Sequence, residues 1–182
     1  MNDLCLVPIG GVPPQALDWI ESAVSEWFPL PLRRLPALTV PASAYDGKRQ
    51  QYQSVELMKM LSQSAPRNAG RVLGVADVDL SIPMLSFLFG QAQFEGPIAL
   101  ISLCRLRQEF YGLPPREHLL RERTVKEALH ELGHTFGLVH CSDPNCAMSL
   151  STHIELVDSK SERYCERCGM HLVQWFARNG GV

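Results

Sequence analysis

Three histidines and one glycine in the last third of the chain have the spacing of a metal-dependent hydrolytic site. His130 and His134 stand four residues apart, so on a helix their imidazoles lie one turn above each other and can reach the same ion. Zinc prefers nitrogen ligands, and a catalytic zinc keeps three protein ligands and one open position. His140 supplies the third ligand if Gly137 takes a left-handed conformation that ends the helix and turns the chain back.

Glu131 follows the first of these histidines directly and is our candidate for the general base and acid. Its carboxylate can lie beside the open position without binding the ion itself. Zinc lowers the pKa of a bound water to about 7, and a carboxylate at hydrogen-bonding distance accepts the proton and returns it to a leaving amine. The alternative is a glutamate that only solvates the helix surface, and the two neighbouring histidines favour the catalytic interpretation.

Four of the six cysteines form two close pairs near the C-terminal end. Cys141 and Cys146 are separated by four residues and Cys165 and Cys168 by two, with 18 residues between the pairs. These spacings predict a closed four-thiolate zinc site, which is structural because thiolates leave no position open. A redox pair at Cys165 and Cys168, or ordinary buried thiols, are the alternatives. Because Cys141 follows His140, the thiolate-bound ion is expected to hold that histidine in place.

The elements that must position these residues alternate between strands and helices. Apolar runs predict strands over residues 4–9, 37–40 and 71–76, and a hairpin-like pair over 87–89 and 98–103. Apolar residues at helical spacing predict one helix opened by Pro13 and Pro14 and another over 52–61. The helix that carries the histidines is expected to start at a capping box formed by Thr124 and Glu127.

The composition is that of an ordinary globular chain. Its 182 residues have a formal net charge of −2, 46% are hydrophobic and 20% are charged, which gives no basic field for nucleic acid. Basic and acidic residues also alternate around the cysteines, which argues against a zinc-ribbon nucleic-acid binder. No apolar run approaches the roughly 18 residues of a membrane helix, and no basic segment precedes the first apolar stretch. We expect a cytoplasmic monomer without nucleic-acid or membrane partners.

The motifs closely resemble those of the archaemetzincin family, within the metzincin clan of zinc metallopeptidases. The resemblance is carried by His130-Glu131-x-x-His134-x-x-Gly137-x-x-His140-Cys141, by Cys146-Ala147-Met148 and by Cys165-x-x-Cys168. Phe89-Gly90-Gln91-Ala92 and residues 102–106 are also similar to the family sequence. The N-terminal part of the chain resembles the family only in its general pattern.

The resemblance implies an α+β (α/β), metzincin-like fold. A twisted mixed sheet with helices would form an upper lobe, and a small zinc-stapled lobe would lie below a cleft that holds the catalytic zinc. Residues 1–182 would form one catalytic domain, with an N-terminal subdomain to about residue 137 and a C-terminal subdomain over 138–182. Met148 would be the methionine of the clan's Met-turn, packed beneath the zinc.

In metzincins an edge strand binds extended peptide through main-chain hydrogen bonds. The candidate residues for this role, with a plain edge strand or loop as the alternative, are Gly96, Pro97, Ile98, Ala99 and Leu100.

Together these expectations describe a zinc metallopeptidase that binds two zinc ions per chain and hydrolyses peptide or protein substrates. A zinc-stabilised peptide-binding protein with little or no turnover is the alternative. The presence of Glu131 favours the enzyme.

Overall fold

The computed structural model describes residues 3–179, which form two mixed β-sheets and five α-helices. The strands are β1 (Asp3–Ile9), β2 (Leu32–Arg34), β3 (Tyr45–Asp46), β4 (Gln51–Gln53), β5 (Ala69–Ala76), β6 (Leu80–Ile82), β7 (Leu85–Leu88), β8 (Gly90–Ala92) and β9 (Ile98–Ser102). The helices are α1 (Pro14–Trp27), α2 (Ser54–Ser64), α3 (Glu117–Thr135), α4 (Ile154–Ser159) and α5 (Glu166–Arg178).

The five-stranded sheet has the order β2-β1-β5-β9-β8 and is covered on both faces. Its strands are parallel except β8, which pairs antiparallel with β9. Alternate residues of β1 point to opposite faces, so Leu4 and Leu6 pack with α1 and α3, whereas Cys5 and Val7 pack with α2. A parallel strand buried on both faces needs a continuous apolar run, which explains the sequence of β1 and β5.

The four-stranded sheet, of order β3-β4-β6-β7, places a hairpin beside the first sheet. Only Phe89 separates β7 at the edge of this sheet from β8 at the edge of the other. Arg49 anchors the hairpin by donating hydrogen bonds to the carbonyl oxygens of Ile82 at 3.0 Å and Ser86 at 2.9 Å.

Helix α3 lies in the centre of the molecule, and every residue from Arg123 to Gly133 is buried. It begins at Glu117, so the predicted capping box is wrong: Thr124 and Glu127 lie inside the helix, and the preceding Arg116 makes no capping hydrogen bond through its side chain. Residues 117–123, with Glu, Leu and Arg, favour helix strongly enough to extend it by two turns without a side-chain cap.

The predicted strands over 4–9 and 71–76 and the first two predicted helices are confirmed by β1, β5, α1 and α2. The strand predicted over 37–40 is wrong, because β2 lies at Leu32–Arg34 and only Leu38 forms an isolated bridge, to Ile9. Pro36 and Pro41 flank that bridge and lack the amide hydrogens a longer ladder needs.

The strand expected to pair with residues 98–103 lies three residues later than predicted. The strand that pairs with β9 is β8, whereas Phe87 lies in β7 of the other sheet. Because β9 is buried and paired on both sides, the prediction that Gly96 to Leu100 form part of the sheet edge is wrong. Within residues 3–179 no helix combines the length and the apolar composition needed to cross a membrane.

Candidate active site

The end of α3 turns the chain back through a Schellman motif. Gly137 has a φ of 84°, in the left-handed region that glycine adopts without strain. Its amide donates to the carbonyl of His134 at 3.0 Å, and the amide of Leu138 donates to the carbonyl of Gly133, also at 3.0 Å. These two bonds satisfy carbonyl groups that the helix end would leave unpaired. The chain direction reverses, as the sequence predicts.

The reversal brings His130, His134 and His140 together. One ring nitrogen from each lies within 4.8 Å of the other two. The Nε2 atoms of His130 and His134 are 3.2 Å apart. Imidazole groups from a helix and from the loop after it thus point at one small volume.

Backbone carbonyls fix the tautomers of two of these rings. The Nδ1 atom of His130 lies 2.8 Å from the carbonyl oxygen of Ala147, and Nδ1 of His134 lies 2.7 Å from that of Leu138. A carbonyl only accepts, so each Nδ1 carries the hydrogen and each Nε2 presents a lone pair. Two lone pairs facing each other at 3.2 Å repel unless a cation lies between them. The histidine set therefore fits a metal ion.

Burial keeps these histidines neutral, which is the form that binds a metal. Desolvation lowers the pKa of His130 well below its ordinary value, and the positive charge of Lys160 lowers it further. Burial likewise lowers the pKa of His134 and of His140. All three rings can offer a lone pair at neutral pH.

Glu131 lies on the wall of the same cavity as the three histidines, a cavity of about 510 Å³. Only 6% of the surface of Glu131 is exposed to solvent. Burial raises the pKa of its carboxyl well above the ordinary value, the charge of Glu127 raises it further, and Lys160 opposes the rise. A carboxyl group whose surroundings favour its protonated form holds a proton more readily than an ordinary glutamate, which suits general acid–base chemistry.

The cavity continues along one edge of the five-stranded sheet. Gly90, Gln91 and Ala92 of β8 line it, and β8 is the edge strand of the five-stranded sheet. An edge strand offers unpaired backbone groups to an extended peptide. The remaining wall is mainly apolar and comes from the hairpin and from the loop after residue 149, with Ile82, Leu85, Phe87, Leu88 and Leu150.

A buried ion pair lies beneath the histidines. Lys160 Nζ is 2.8 Å from Glu127 Oε1, and these side chains are 0% and 3% exposed. The same Nζ lies 3.5 Å from Nδ1 of His130. Sequence reasoning missed this pair and the edge strand β8. No local sequence pattern distinguishes Lys160 from a surface lysine. For β8 a signal was present, because Gly90 lies in a stretch similar to the family sequence.

The four cysteines form a second group with metal-ligand geometry. The sulfur atoms of Cys141, Cys146, Cys165 and Cys168 all lie within 4.8 Å of one another. Burial raises the pKa of Cys141, but hydrogen bonds from the Asp143 amide and other neighbours outweigh it and lower the value to about 7.

Charge repulsion between Cys146 and Cys168 indicates that the group suits a cation. Burial raises the pKa of Cys168, and the charge of Cys146 raises it further. The thiols therefore resist ionising together unless a cation lies among them, and four sulfur ligands are typical of zinc. The thiols are free within residues 3–179, with no disulfide bond between them.

Met148 is fully buried and packs against the catalytic helix. A Cβ atom added at Gly133 would overlap its sulfur, so the glycine allows the close approach. The amide of Cys141 also donates to the Met148 carbonyl at 2.9 Å, which ties the loop after His140 to this turn. Met148 thus packs against the part of α3 that carries His130 and His134.

Comparison with known proteins gives one consistent result. The model of Peptidase family M54 matches residues 29–174. The archaemetzincin of Methanocaldococcus jannaschii is 42% identical over 165 residues, which cover 91% of this chain and 89% of that protein. The archaemetzincin of Pyrococcus furiosus is 42% identical over 185 residues, which cover 98% of this chain and 96% of that protein. The crystal structure of archaemetzincin from Methanopyrus kandleri superposes with a TM-score of 0.87 at 39% identity, and the match covers 97% of this chain and 96% of that one.

Proposed function

Because the chain belongs to the archaemetzincin family, peptidase family M54, we propose a catalytic assembly for its zinc-dependent hydrolysis of peptides. His130, His134 and His140 hold the catalytic zinc, and Glu131 is the general base and acid. The observation that carries this proposal is the convergence of three imidazole nitrogens within 4.8 Å, in a cavity that Glu131 also lines. When bound there, zinc lowers the pKa of water and polarises the carbonyl of the substrate.

Glu131 accepts the proton of the attacking water at its carboxylate. It then donates that proton to the amine that leaves when the peptide bond breaks. The low exposure of Glu131 and its raised pKa support both steps, because they favour holding the proton until the amine can take it. His130 and His134 keep the orientation that their Nδ1 hydrogen bonds impose.

The substrate lies extended along β8, in place of the Gly96–Leu100 segment predicted from the sequence. Gly90, Gln91 and Ala92 offer backbone donors and acceptors beside Glu131. The apolar wall formed by Leu85, Phe87 and neighbouring residues favours a substrate with a large apolar side chain at the adjoining position.

The four cysteines bind a second zinc ion, which makes two per chain. Four thiolates complete the coordination of zinc, so this ion has a structural role. We also place the division between the two subdomains at about residue 137, where Gly137 turns the chain. Leu138, Tyr164 and Phe176 from beyond that point share one apolar core with the sheet and α3, so the two parts would fold together.

Replacement of Glu131 by Gln tests the catalytic proposal. We expect E131Q to lose about 100- to 10,000-fold in peptide hydrolysis, the range of general acid–base catalysis, with the zinc content of the wild type retained. A set of fluorogenic peptides with and without large apolar residues gives the readout, and H118A, at an exposed position outside the cavity, is the control.

Retained activity in E131Q would remove Glu131 from its role. A wild-type protein that binds these peptides with zinc in place but cleaves none of them would support the peptide-binding alternative instead.

A further inference from the structure

The four cysteines are linked to the catalytic centre by their neighbours in the chain. Cys141 directly follows His140, so an ion held by its sulfur fixes the backbone on the C-terminal side of that histidine. The amide of Cys141 donates to the carbonyl of Met148, the residue packed beneath α3. One cysteine thus restrains both the third histidine and the methionine turn.

Cys146 is linked to the first histidine. Its neighbour Ala147 accepts the 2.8 Å hydrogen bond from Nδ1 of His130 that sets the tautomer of that ring. The amides of Met148 and Cys165 donate to Cys146 Sγ at 3.5 and 3.3 Å, so the sulfur orders the peptide groups on either side of the turn. The sulfur and the carbonyl that orients His130 thus belong to adjacent residues, Cys146 and Ala147.

Cys165 and Cys168 are linked to the catalytic helix itself. Tyr164, next to Cys165, is buried and donates its hydroxyl to the carbonyl of Leu129 at 2.6 Å, one residue before His130. Cys168 lies on α5, where His171 donates a ring N–H to the carbonyl of Phe136 at 3.2 Å, at the end of α3. Each of the four cysteines therefore has a short covalent or hydrogen-bonded path to the histidine site.

We propose that the cysteine cluster is the positioning element of the catalytic histidines, so that metal at the cluster raises the metal affinity of the histidine site. This inference rests on the proposed function, because it assumes that His130, His134 and His140 bind the catalytic zinc. Without an ion nothing joins the four sulfurs, and the segments that carry His140, Ala147 and Tyr164 lose a common anchor. Groups that orient metal ligands typically change affinity by about 10- to 100-fold, and we expect a coupling of that size.

The test compares two serine variants of the full chain. C165S/C168S removes two sulfurs from the cluster without touching the residues next to His130 or His140. C104S removes a half-buried thiol outside the cluster and is the matched control. Competition with a chromophoric chelator gives the zinc dissociation constant of the histidine site, the visible absorption of a cobalt-loaded sample reports its ligand geometry, and circular dichroism checks the fold.

We expect the zinc dissociation constant of the histidine site to rise about 10- to 100-fold in C165S/C168S and to stay within twofold of wild type in C104S. Equal constants in the two variants would overturn the coupling. The proposed function would survive that result if the wild type hydrolyses peptides and binds zinc at both sites. A wild type that loads no metal at the histidines would instead defeat the proposed function.

Reciprocity supplies a second test that does not depend on the folding of C165S/C168S. Coupling between two binding sites must act equally in both directions. H134A breaks the histidine site at a residue whose side-chain hydrogen bonds go to Leu138 and His130 and not to the cysteines. The cluster of this variant should therefore release zinc to the chelator about 10- to 100-fold more readily than wild type. A cluster affinity in H134A equal to that of H118A would overturn the proposal.

Discussion

Gly90 of the edge strand lies directly against Glu131 of the catalytic helix. A Cβ atom at Gly90 would stand 2.6 Å from Cγ of Glu131, 2.7 Å from its Oε1 and 2.8 Å from the backbone oxygen of Leu100. The backbone oxygen cannot yield, so any side chain at residue 90 must push the glutamate away. The strand proposed to hold the substrate and the residue proposed to move the proton are thus in contact at a position where only glycine fits.

Replacement of Gly90 by Ala is expected to lower kcat/KM for peptide hydrolysis by about 100-fold, because displacement of a catalytic group by about 1 Å costs roughly that much. The zinc content should stay at the wild-type value, since none of the three histidines is touched. The control is G11A, because no atom lies within 4 Å of a Cβ atom at Gly11. Equal activity of G90A and G11A would show that Glu131 tolerates the shift.

Met148 fills the space under α3 that Gly133 opens. Its replacement by Ala leaves a cavity in a fully buried region and should lower the free energy of unfolding by about 2 to 5 kcal/mol. M148L conserves most of the volume and should cost less than about 1.5 kcal/mol. Urea denaturation of both variants measures the difference, and an alanine variant as stable as the leucine variant would contradict the packing role.

The ion pair between Lys160 and Glu127 should behave as a unit. K160M leaves the Glu127 carboxylate buried without a partner and is expected to lower the free energy of unfolding by about 3 to 5 kcal/mol. The double variant K160M/E127L removes both charges and should recover most of that loss. A double-mutant cycle by urea denaturation measures the coupling. Additive losses from the two substitutions would show that the charges act independently.

Arg105 packs against Phe87, one of the residues that line the cavity. Its guanidinium pairs with both carboxylate oxygens of Asp79 and lies 4.1 Å from the ring centre of Phe87 and 4.6 Å from that of Phe110. R105K keeps the charge but loses the paired hydrogen bonds and the flat contact with both rings.

Because Phe87 lines the cavity, we expect R105K to raise KM several-fold for substrates with large apolar side chains while kcat changes little. R67K, at an exposed turn, is the control. Steady-state kinetics on the fluorogenic peptides separates the two constants. A fall in kcat at constant KM would place the effect of Arg105 on the catalytic residues and not on the wall.

The parts of the molecule that sequence predicts well are those set by short-range chemistry. The four-residue spacing of His130 and His134 requires only a helix, and the reversal at Gly137 follows from the freedom of glycine. The apolar runs of β1 and β5 are equally local, since a strand buried on both faces has no polar alternation.

The errors come from pairings between distant segments. The edge of the sheet is β8 and not the segment around Ile98, because β9 lies between β5 and β8 in an order that no single run of residues records. Lys160 is buried only because Glu127, 33 positions earlier, lies beside it in the folded chain. The predicted start of α3 is wrong because of a local coincidence: Thr124 and Glu127 have the spacing of a capping motif but lie inside a longer helix.

The central claim is that His130, His134 and His140 share one zinc ion beside Glu131, and anomalous X-ray diffraction at the zinc edge tests it most directly. We predict two peaks per chain in crystals of zinc-loaded protein. One peak should lie among the three imidazoles and the other among the four cysteine sulfurs. An empty histidine site in zinc-replete crystals, or an ion there that His140 does not touch, would contradict the account.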